Sequence, residues 1–285
     1  MSSAAIRMIK TAGTILRQEG PVALTRAVIR RLSRPAVAAQ APAISPAPDE
    51  SDIAFEVLGG DRLSGTMVDV GAHYGGALER FAQSQWQVYA FEPDSQNRTH
   101  LKARFGDAPN VRIDARAVSD KDDANVPLFR SEESTGISGL SAFRPTHRQC
   151  ETVDITTLAH LAGEQSIEQI DFLKIDTEGF DLFVLRGVPW ERIQPRLILC
   201  EFEDRKTVPL GYTFHDLARY LEEQGYSVLV SEWYPIERYG IKHRWRRFVP
   251  YPCDLADTQA WGNLLAAKEP LYGALVEKCL QGDQK

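Results

Sequence analysis

Between residues 66 and 225 the chain alternates between short, nearly continuous apolar runs and segments with a helical spacing of apolar residues. The apolar runs are typical of strands, and we expect strands at 66–70, 86–92, 111–119, 170–176 and 196–203. The other pattern predicts helices at 75–84, 94–105, about 180–186 and about 213–224. Strands that are apolar on both faces and joined by helices indicate an α/β fold with a mostly parallel sheet.

The sequence after residue 225 departs from this alternation. Residues 226–233 and 243–250 are predicted to be two strands, joined by a connection that contains Pro and Gly and is too short for a crossover helix. We therefore expect an antiparallel hairpin that closes the sheet. Residues 261–267, WGNLLAA, are interpreted as a helix that packs on the domain.

The first 50 residues differ in composition from the rest. Residues 1–34 contain seven basic groups and one acid, with apolar residues at helical spacing, which predicts a basic amphipathic arm. A solvated arm, contact with an anionic membrane surface and docking on a partner are the three open interpretations. Residues 35–50 hold four prolines and six alanines, which is typical of an extended linker. The folded domain is expected to span 51–285.

Composition narrows the classes of protein to consider. The net charge of −6 over 285 residues argues against a general nucleic-acid binder, which neutralises phosphates with basic groups. No apolar stretch is long enough to cross a membrane, and no export signal is recognised. The four cysteines lack metal-ligand spacing and are typical of reduced thiols. We expect a cytoplasmic protein, with peripheral contact of the arm at the inner membrane surface as the open alternative.

The ends of the first two predicted strands carry residues suited to a nucleoside cofactor. Gly71 and Gly75 allow a tight turn before a helix. Glu92 follows Gly71 by 21 residues, where a carboxylate can accept both hydrogen bonds of a ribose diol. Asp69 can hold an α-amino group and would repel a pyrophosphate, and the three-glycine fingerprint of dinucleotide sites is missing. On these residues alone, a nicotinamide cofactor stays open as an alternative.

Five segments carry a resemblance to a known family: VDVGAHYGG, YAFEPD, RAVSD, ETVDITTL and, most specifically, FLKIDTEGFDLFVLRG. Together they resemble the FkbM family of S-adenosylmethionine-dependent methyltransferases over about residues 66–232. The resemblance implies a Rossmann-like class I methyltransferase sheet of seven strands in the order 3-2-1-4-5-7-6, with S-adenosylmethionine as the cofactor. It also implies O-methyl transfer, often to a sugar or a glycosylated natural product.

The resemblance assigns cofactor contacts by position. It implies that the methionine part of the cofactor is cradled by Asp69, Gly71, Ala72, His73 and Gly75. It places Glu92 at the ribose, and Pro93, Ala117 and Val118 at the border of the adenine. The chain departs from the usual pattern at His73, where the family more often has Asn.

Methyl transfer to a hydroxyl benefits from a general base, and the strand ends supply candidates. Asp176 is our first candidate for the base or the acceptor-orienting group, and Glu178 is the second. The alternative is that Glu178 caps the following helix and that Asp176 only holds the cofactor. His147, in the loop 138–149, is the third candidate. Asp176, Glu201, Glu203 and Asp204 could supply oxygens to Mg²⁺, which stays an open alternative. No metal is predicted, because nothing in the sequence fixes a metal geometry.

The expected function is O-methylation of a sugar or glycan hydroxyl. Residues 233–248 interleave aromatic and basic side chains, which suits an acidic glycan or a nucleotide-linked sugar and equally suits a strand with one buried aromatic face. A lipid, polyketide or peptide acceptor, and a non-catalytic or nicotinamide-binding module, remain the alternatives. The sequence predicts neither the methylated position nor the oligomeric state.

Overall fold

The computed structural model describes residues 47–280. The predicted arm and nearly all of the predicted linker lie outside the described residues. The first helix, α1 (Glu50–Val57), already includes the last residue of that predicted linker. The buried Glu50 carboxylate accepts hydrogen bonds from Ser231 Oγ at 2.7 Å and Trp233 Nε1 at 3.0 Å. Glu50 therefore belongs to the folded domain.

Eight of the described strands form one sheet, in the order β10-β9-β11-β8-β7-β1-β2-β3. The strands are β1 (Thr66–Val70), β2 (Gln87–Phe91), β3 (Val111–Asp114), β7 (Phe172–Ile175), β8 (Leu197–Glu203), β9 (Ser227–Trp233), β10 (Trp245–Pro250) and β11 (Trp261–Ala267). The first five of these pair in parallel, β11 runs antiparallel to both β8 and β9, and β10 pairs antiparallel with β9. The predicted fold class and strand order are confirmed, with β10 as an eighth strand at the edge.

A small second sheet interrupts one predicted strand. The apolar run at 111–119 splits into β3 and β4 (Ala117–Val118), and β4 joins β5 (Asp123–Ser131) and β6 (His147–Thr156) in the order β4-β6-β5. The split coincides with a local hydrogen-bonded turn, in which the Asp114 carboxylate accepts from the backbone and the guanidinium of Arg116. The chain therefore leaves the large sheet and starts a new one.

Helices cover both faces of the large sheet. They are α1, α2 (Glu79–Ala82), α3 (Ser95–Phe105), α4 (Leu158–Glu164), α5 (Asp181–Arg186), α6 (Asp204–Thr207), α7 (Phe214–Glu223) and α8 (Leu271–Leu280). One core packs α4, α5 and α7 against the sheet, and the other packs α1, α2, α3 and α8. Asp94 caps α3, since its carboxylate accepts from the amides of Gln96 and Asn97. No helix in residues 47–280 is long and apolar enough to cross a membrane.

The prediction of a helix at 261–267 was wrong. This segment is β11, which lies between β8 and β9 and is antiparallel to both. Leu264 and Ala266 pack into one core and Leu265 into the other, so alternate side chains point to opposite faces of the sheet. A short apolar run buried on both sides has no periodicity that separates helix from strand. The predicted hairpin of β9 and β10 does form.

Candidate active site

An open cleft lies at the carboxyl ends of β1, β2 and β7. Residues from β4 and from the loop 132–146, between β5 and β6, close its other side. Of the residues predicted for the site, the cleft is lined by Gly71, His73, Glu92, Pro93, Ala117, Val118, Asp176 and Glu178. The structure thus brings together most of a site whose members are up to 107 positions apart in the sequence.

The turn after β1 requires glycine at position 71. Gly71 has a φ of +81°, and a Cβ atom built there would lie 1.9 Å from the carbonyl oxygen of Asp176. The amides of Gly71 and Ala72 both donate to the carbonyl of Phe91, at 3.0 and 2.9 Å. The backbones of β1, β2 and β7 therefore meet with no room for a side chain at the floor of the cleft.

Glu92 presents a fixed carboxylate to the cleft. Its Oε2 accepts from the His73 amide at 2.7 Å, and its Oε1 accepts from the Asp94 amide at 2.9 Å. Each oxygen of a carboxylate offers about two acceptor positions, so one on each oxygen is left for a ligand. Burial raises the pKa of Glu92 to about 7. This arrangement suits a pair of neighbouring hydroxyl groups.

A buried lysine separates two carboxylates beneath and beside the cleft. Lys174 Nζ lies 3.2 Å from Asp69 Oδ1 and 3.6 Å from Asp176 Oδ2, and it donates to the Gly71 carbonyl at 2.9 Å. Asp69 is fully buried and does not line the cleft, and neither of its oxygens has a well-aligned hydrogen-bond partner in the described chain. Burial disfavours the Lys174 ammonium, yet the two neighbouring carboxylates raise its pKa above the usual value.

Asp176 lines the cleft, and its carboxylate is also partly exposed to solvent. Its side chain is 42% exposed at the end of β7, where its amide donates to the Val70 carbonyl at 2.9 Å. The chain then turns sharply through Glu178 and Gly179, with φ values of +56° and +103°. A positive φ at a glutamate costs of the order of 1–3 kcal/mol and is typical of functional sites. His73, at φ +48°, is a second strained residue in the lining.

The loop 132–146 is held over the cleft by side chains that the sequence did not single out. Asn97 Nδ2 donates to the Thr135 carbonyl at 3.0 Å, and the Thr135 hydroxyl lies 3.1 Å from His73 Nε2. Ser138 Oγ donates to Asp94 Oδ2 at 2.9 Å. Arg130 binds both oxygens of the same carboxylate, at 2.6 and 2.7 Å. The cap of α3 therefore also anchors this loop.

The comparisons with known proteins identify the family. A family model described as the methyltransferase FkbM domain matches residues 69–228. The chain belongs to the FkbM methyltransferase family. A search of curated proteins returned no match. As a member of this family, the protein is an S-adenosylmethionine-dependent methyltransferase.

Several solved structures are similar to this chain. A precorrin-6y C5,15-methyltransferase from Geobacter metallireducens is 14% identical, with a TM-score of 0.41, over 80% of this chain and 92% of its own. The methyltransferase FkbM from Methylobacillus flagellatus is 18% identical, with a TM-score of 0.42, over 72% of this chain and 44% of its own. An S-adenosylmethionine-dependent O-methyltransferase from Thermotoga maritima is 14% identical, with a TM-score of 0.39, over 79% and 67%.

The residues that line the cleft fit S-adenosylmethionine. Glu92 has acceptor positions free for the ribose hydroxyls, and the glycine floor at Gly71 admits a close approach of the ligand to the backbone. Val118 and Leu128 supply an apolar wall on the side predicted for the adenine. The predicted contact of Asp69 with the amino group stays a prediction, since Asp69 lies below the cleft lining.

Besides Asp69, three more of the predicted site residues lie outside the cleft lining, namely Ala72, Gly75 and His147. A Cβ on Gly75 would lie 2.5 Å from the Phe105 ring, so this glycine allows close packing against α3. Ala72 is buried in the same core. His147 is buried, its Nδ1 accepts from the Arg144 amide at 3.2 Å, and its Nε2 lies 2.8 Å from the Ile137 carbonyl. Both ring nitrogens of His147 hold the loop backbone, so the structure argues against its role as a base.

We expect the raised pKa of Glu92 to leave a signature in the stability of the ligand-free protein. Between pH 4.5 and about 7, Glu92 binds more protons in the folded than in the unfolded state, so its contribution to stability declines as the pH rises. Glu92→Gln removes this titration. Urea unfolding of both proteins across this window should show that the wild type loses stability relative to the variant. A constant difference between them would contradict the burial of an ionisable Glu92.

Proposed function

We propose that the protein transfers the methyl group of S-adenosylmethionine to a hydroxyl of a sugar or glycan. The observation that supports this most is Asp176, a partly exposed carboxylate in the cofactor cleft. A sugar hydroxyl is a weak nucleophile at neutral pH, and a general base within reach contributes typically 10²–10⁴-fold to the rate. Asp176 can serve an acceptor that enters the open side of the cleft.

The bound cofactor supplies a methyl group on a sulfonium, which is already activated for displacement. The protein has to bring the acceptor oxygen into line with that methyl group and to accept the hydroxyl proton. As the new carbon–oxygen bond forms and the carbon–sulfur bond breaks, the proton passes to the Asp176 carboxylate. Because this side chain is 42% exposed, it can release the proton to solvent afterwards.

A second cleft supports a hydroxyl-rich acceptor. It lies at the ends of β8 and β9 and the start of β11. Its lining includes the polar side chains of Glu203, Arg205, Thr258 and Gln259. Such groups match the donors and acceptors of sugar hydroxyls. Trp261 follows this lining directly in the sequence and packs against Trp233, with ring centroids 5.2 Å apart.

The arginines of residues 233–248 support a neutral sugar over an acidic one. Arg246 and Arg247 pair with the buried Glu232, at 3.1 and 2.7 Å. Arg244 lies over the Tyr234 ring, with its guanidinium carbon 4.4 Å from the ring centroid. These three arginines already have partners within the protein, so the acidic-glycan alternative loses three of the basic contacts that the segment offered.

The test follows an isotope-labelled methyl group from S-adenosylmethionine into a panel of sugars, nucleotide-linked sugars, glycolipids and hydroxylated non-sugars. The chemical shift of the transferred methyl group in NMR identifies the atom that received it. We expect label on an oxygen of a sugar, and the same product from Glu191→Gln, which alters an exposed residue far from the cleft. Label on nitrogen, sulfur or carbon, or on non-sugar acceptors alone, would contradict the proposal.

A further inference from the structure

A buried lysine lies at the centre of a group of carboxylates beside the cleft. Lys206, in α6, has a side chain that is 1% exposed. Its Nζ lies 2.8 Å from Glu178, 2.7 Å from Glu201 and 3.1 Å from Glu203. We call these four residues the Lys206 cluster. It contains Glu178, which lines the cofactor cleft, and Glu203, which lines the second cleft.

The geometry around Lys206 is that of a cation site. Ligand oxygens of Asp176, Glu178 and Glu201 all lie within 4.8 Å of one another. Several carboxylate oxygens at such spacing are the donor set that hard divalent cations prefer. Two of these carboxylates are also the closest partners of the Lys206 ammonium, which carries a positive charge into the group. An ammonium and a metal ion compete for the same oxygens.

The surroundings of Lys206 keep its ammonium in place. The Phe143 ring lies over Nζ, with the centroid 5.6 Å away, and the Tyr239 hydroxyl donates to Glu203 Oε2 at 3.2 Å. Phe143 comes from the loop 132–146 and Tyr239 from the connection between β9 and β10. The ammonium is buried from water, which strengthens the attraction between the charges. Burial lowers the affinity of Lys206 for its proton, yet the three carboxylates outweigh it and raise its pKa well above the usual value.

The ammonium leaves acceptor capacity on Glu178. Nζ donates a hydrogen bond to Glu201 Oε2, whereas its contact with Glu178 Oε2 is a close ion pair without hydrogen-bond alignment. Glu178 has a strained backbone conformation, and its buried carboxylate is restrained by the ion pair with Lys206 at 2.8 Å. The lysine therefore fixes Glu178 at the cleft without occupying all of its lone pairs.

We propose that Lys206 takes the place of a divalent cation in this enzyme: it is a positioning residue that holds Glu178 against the acceptor, and methyl transfer needs no metal ion. This inference rests on the proposed function, because a fixed carboxylate aids transfer only if an acceptor hydroxyl is aligned there. Lysine suits the role because its ammonium is a compact point charge with three donors.

Two measurements test the inference while Lys206 itself is left unchanged. Methyl transfer to the acceptor should change less than about twofold when a chelator removes divalent cations and when Mg²⁺ is added back. Titration with Mn²⁺, followed by calorimetry or electron paramagnetic resonance, should show no binding of Mn²⁺ at the carboxylates of the Lys206 cluster. Loss of activity on chelation with recovery in Mg²⁺, or a Mn²⁺ site that Glu201→Gln abolishes, would overturn it.

Lys206→Ala supplies the complementary test, because it leaves the carboxylates and a space among them. We expect turnover to fall about 10- to 100-fold, as for other groups that orient a reacting residue, with the KM for the cofactor nearly unchanged. The variant should gain a Mn²⁺ site, and Mg²⁺ or Mn²⁺ should restore part of its turnover. Lys278→Ala, which removes an exposed lysine paired with Glu56, is the matched control and should behave like the wild type.

The outcomes separate this inference from the proposed function. If the wild type methylates a sugar hydroxyl but requires Mg²⁺, the inference on Lys206 fails and the proposed function stands. If the enzyme methylates no hydroxyl in the acceptor panel, the proposed function fails. Mn²⁺ binding to the Lys206→Ala variant then still tests whether the carboxylates form a cation site. A Lys206→Ala variant that keeps wild-type turnover, or that folds and binds no Mn²⁺, contradicts the inference.

Discussion

Asp176→Asn is expected to lower the rate of single-turnover methyl transfer by about 10²-fold or more, because a neutral amide cannot accept the hydroxyl proton. The amide is nearly isosteric with the carboxylate, so affinity for S-adenosylmethionine should stay within a few-fold. Asp176 is partly exposed and lines the cleft, so the substitution leaves no buried partner unpaired apart from a weakened contact with Lys174 at 3.6 Å.

The control for this variant is Asp122→Asn, which alters an exposed carboxylate paired with His160 outside the cleft and should have the wild-type rate. Rate and affinity are measured on the same preparations, by quenched single turnovers and by calorimetry. Equal losses in binding and in rate would mean that Asp176 only holds the cofactor. An unchanged rate would transfer the role of base to Glu178.

Gly71→Ala is expected to destabilise the protein by about 3 kcal/mol or more and to abolish measurable cofactor binding. The added Cβ would lie 1.9 Å from a backbone oxygen of Asp176, and the φ of +81° is itself strained for any residue with a side chain. This clash can be relieved only if β1 and β7 move apart, and that movement displaces the floor of the cleft. Chemical denaturation and a binding titration measure the two effects.

The matched control is Gly76→Ala, five residues further on. No atom lies within 4 Å of a Cβ built at Gly76, and its φ is in the ordinary range. This variant should be as stable as the wild type or more stable by up to about 1 kcal/mol, since alanine restricts the unfolded chain. If both variants had the same stability, the close approach of β1 and β7 would not be a feature of the protein in solution.

The sequence alone was sufficient to predict the parallel part of the sheet. Strands such as β1 and β8 are buried on both faces because helices cover both sides of the sheet. A strand buried in this way has a nearly continuous apolar run in its own sequence, which can be recognised without knowing the fold. The segment of β11 has the same property, but it follows a closing hairpin, and no local feature shows that it inserts between β8 and β9. Its pairing is decided by strands 58 or more and 28 or more positions away.

Much of the cleft lining was predictable, because a tight turn and a carboxylate at the end of the second strand restrict the residue types at Gly71 and Glu92. The rest depends on contacts between distant segments. In the sequence, nothing distinguishes Lys206 from the other lysines. Only the fold brings it into contact with Glu178, which lies 28 positions earlier. His147 looked like a free loop histidine, whereas the structure engages both of its ring nitrogens with backbone groups.

Calorimetric titration of the demethylated cofactor, S-adenosylhomocysteine, into the wild type, Glu92→Ala and Glu191→Ala tests the central claim most directly, namely that this cleft is the cofactor site. The wild type and Glu191→Ala should bind one molecule with equal affinity. Glu92→Ala should lose about 1.5–3 kcal/mol of binding free energy, the range for hydrogen bonds to a charged group, or about 10- to 100-fold in affinity. Absence of binding to the wild type, or an unchanged affinity in a folded Glu92→Ala variant, would contradict the account.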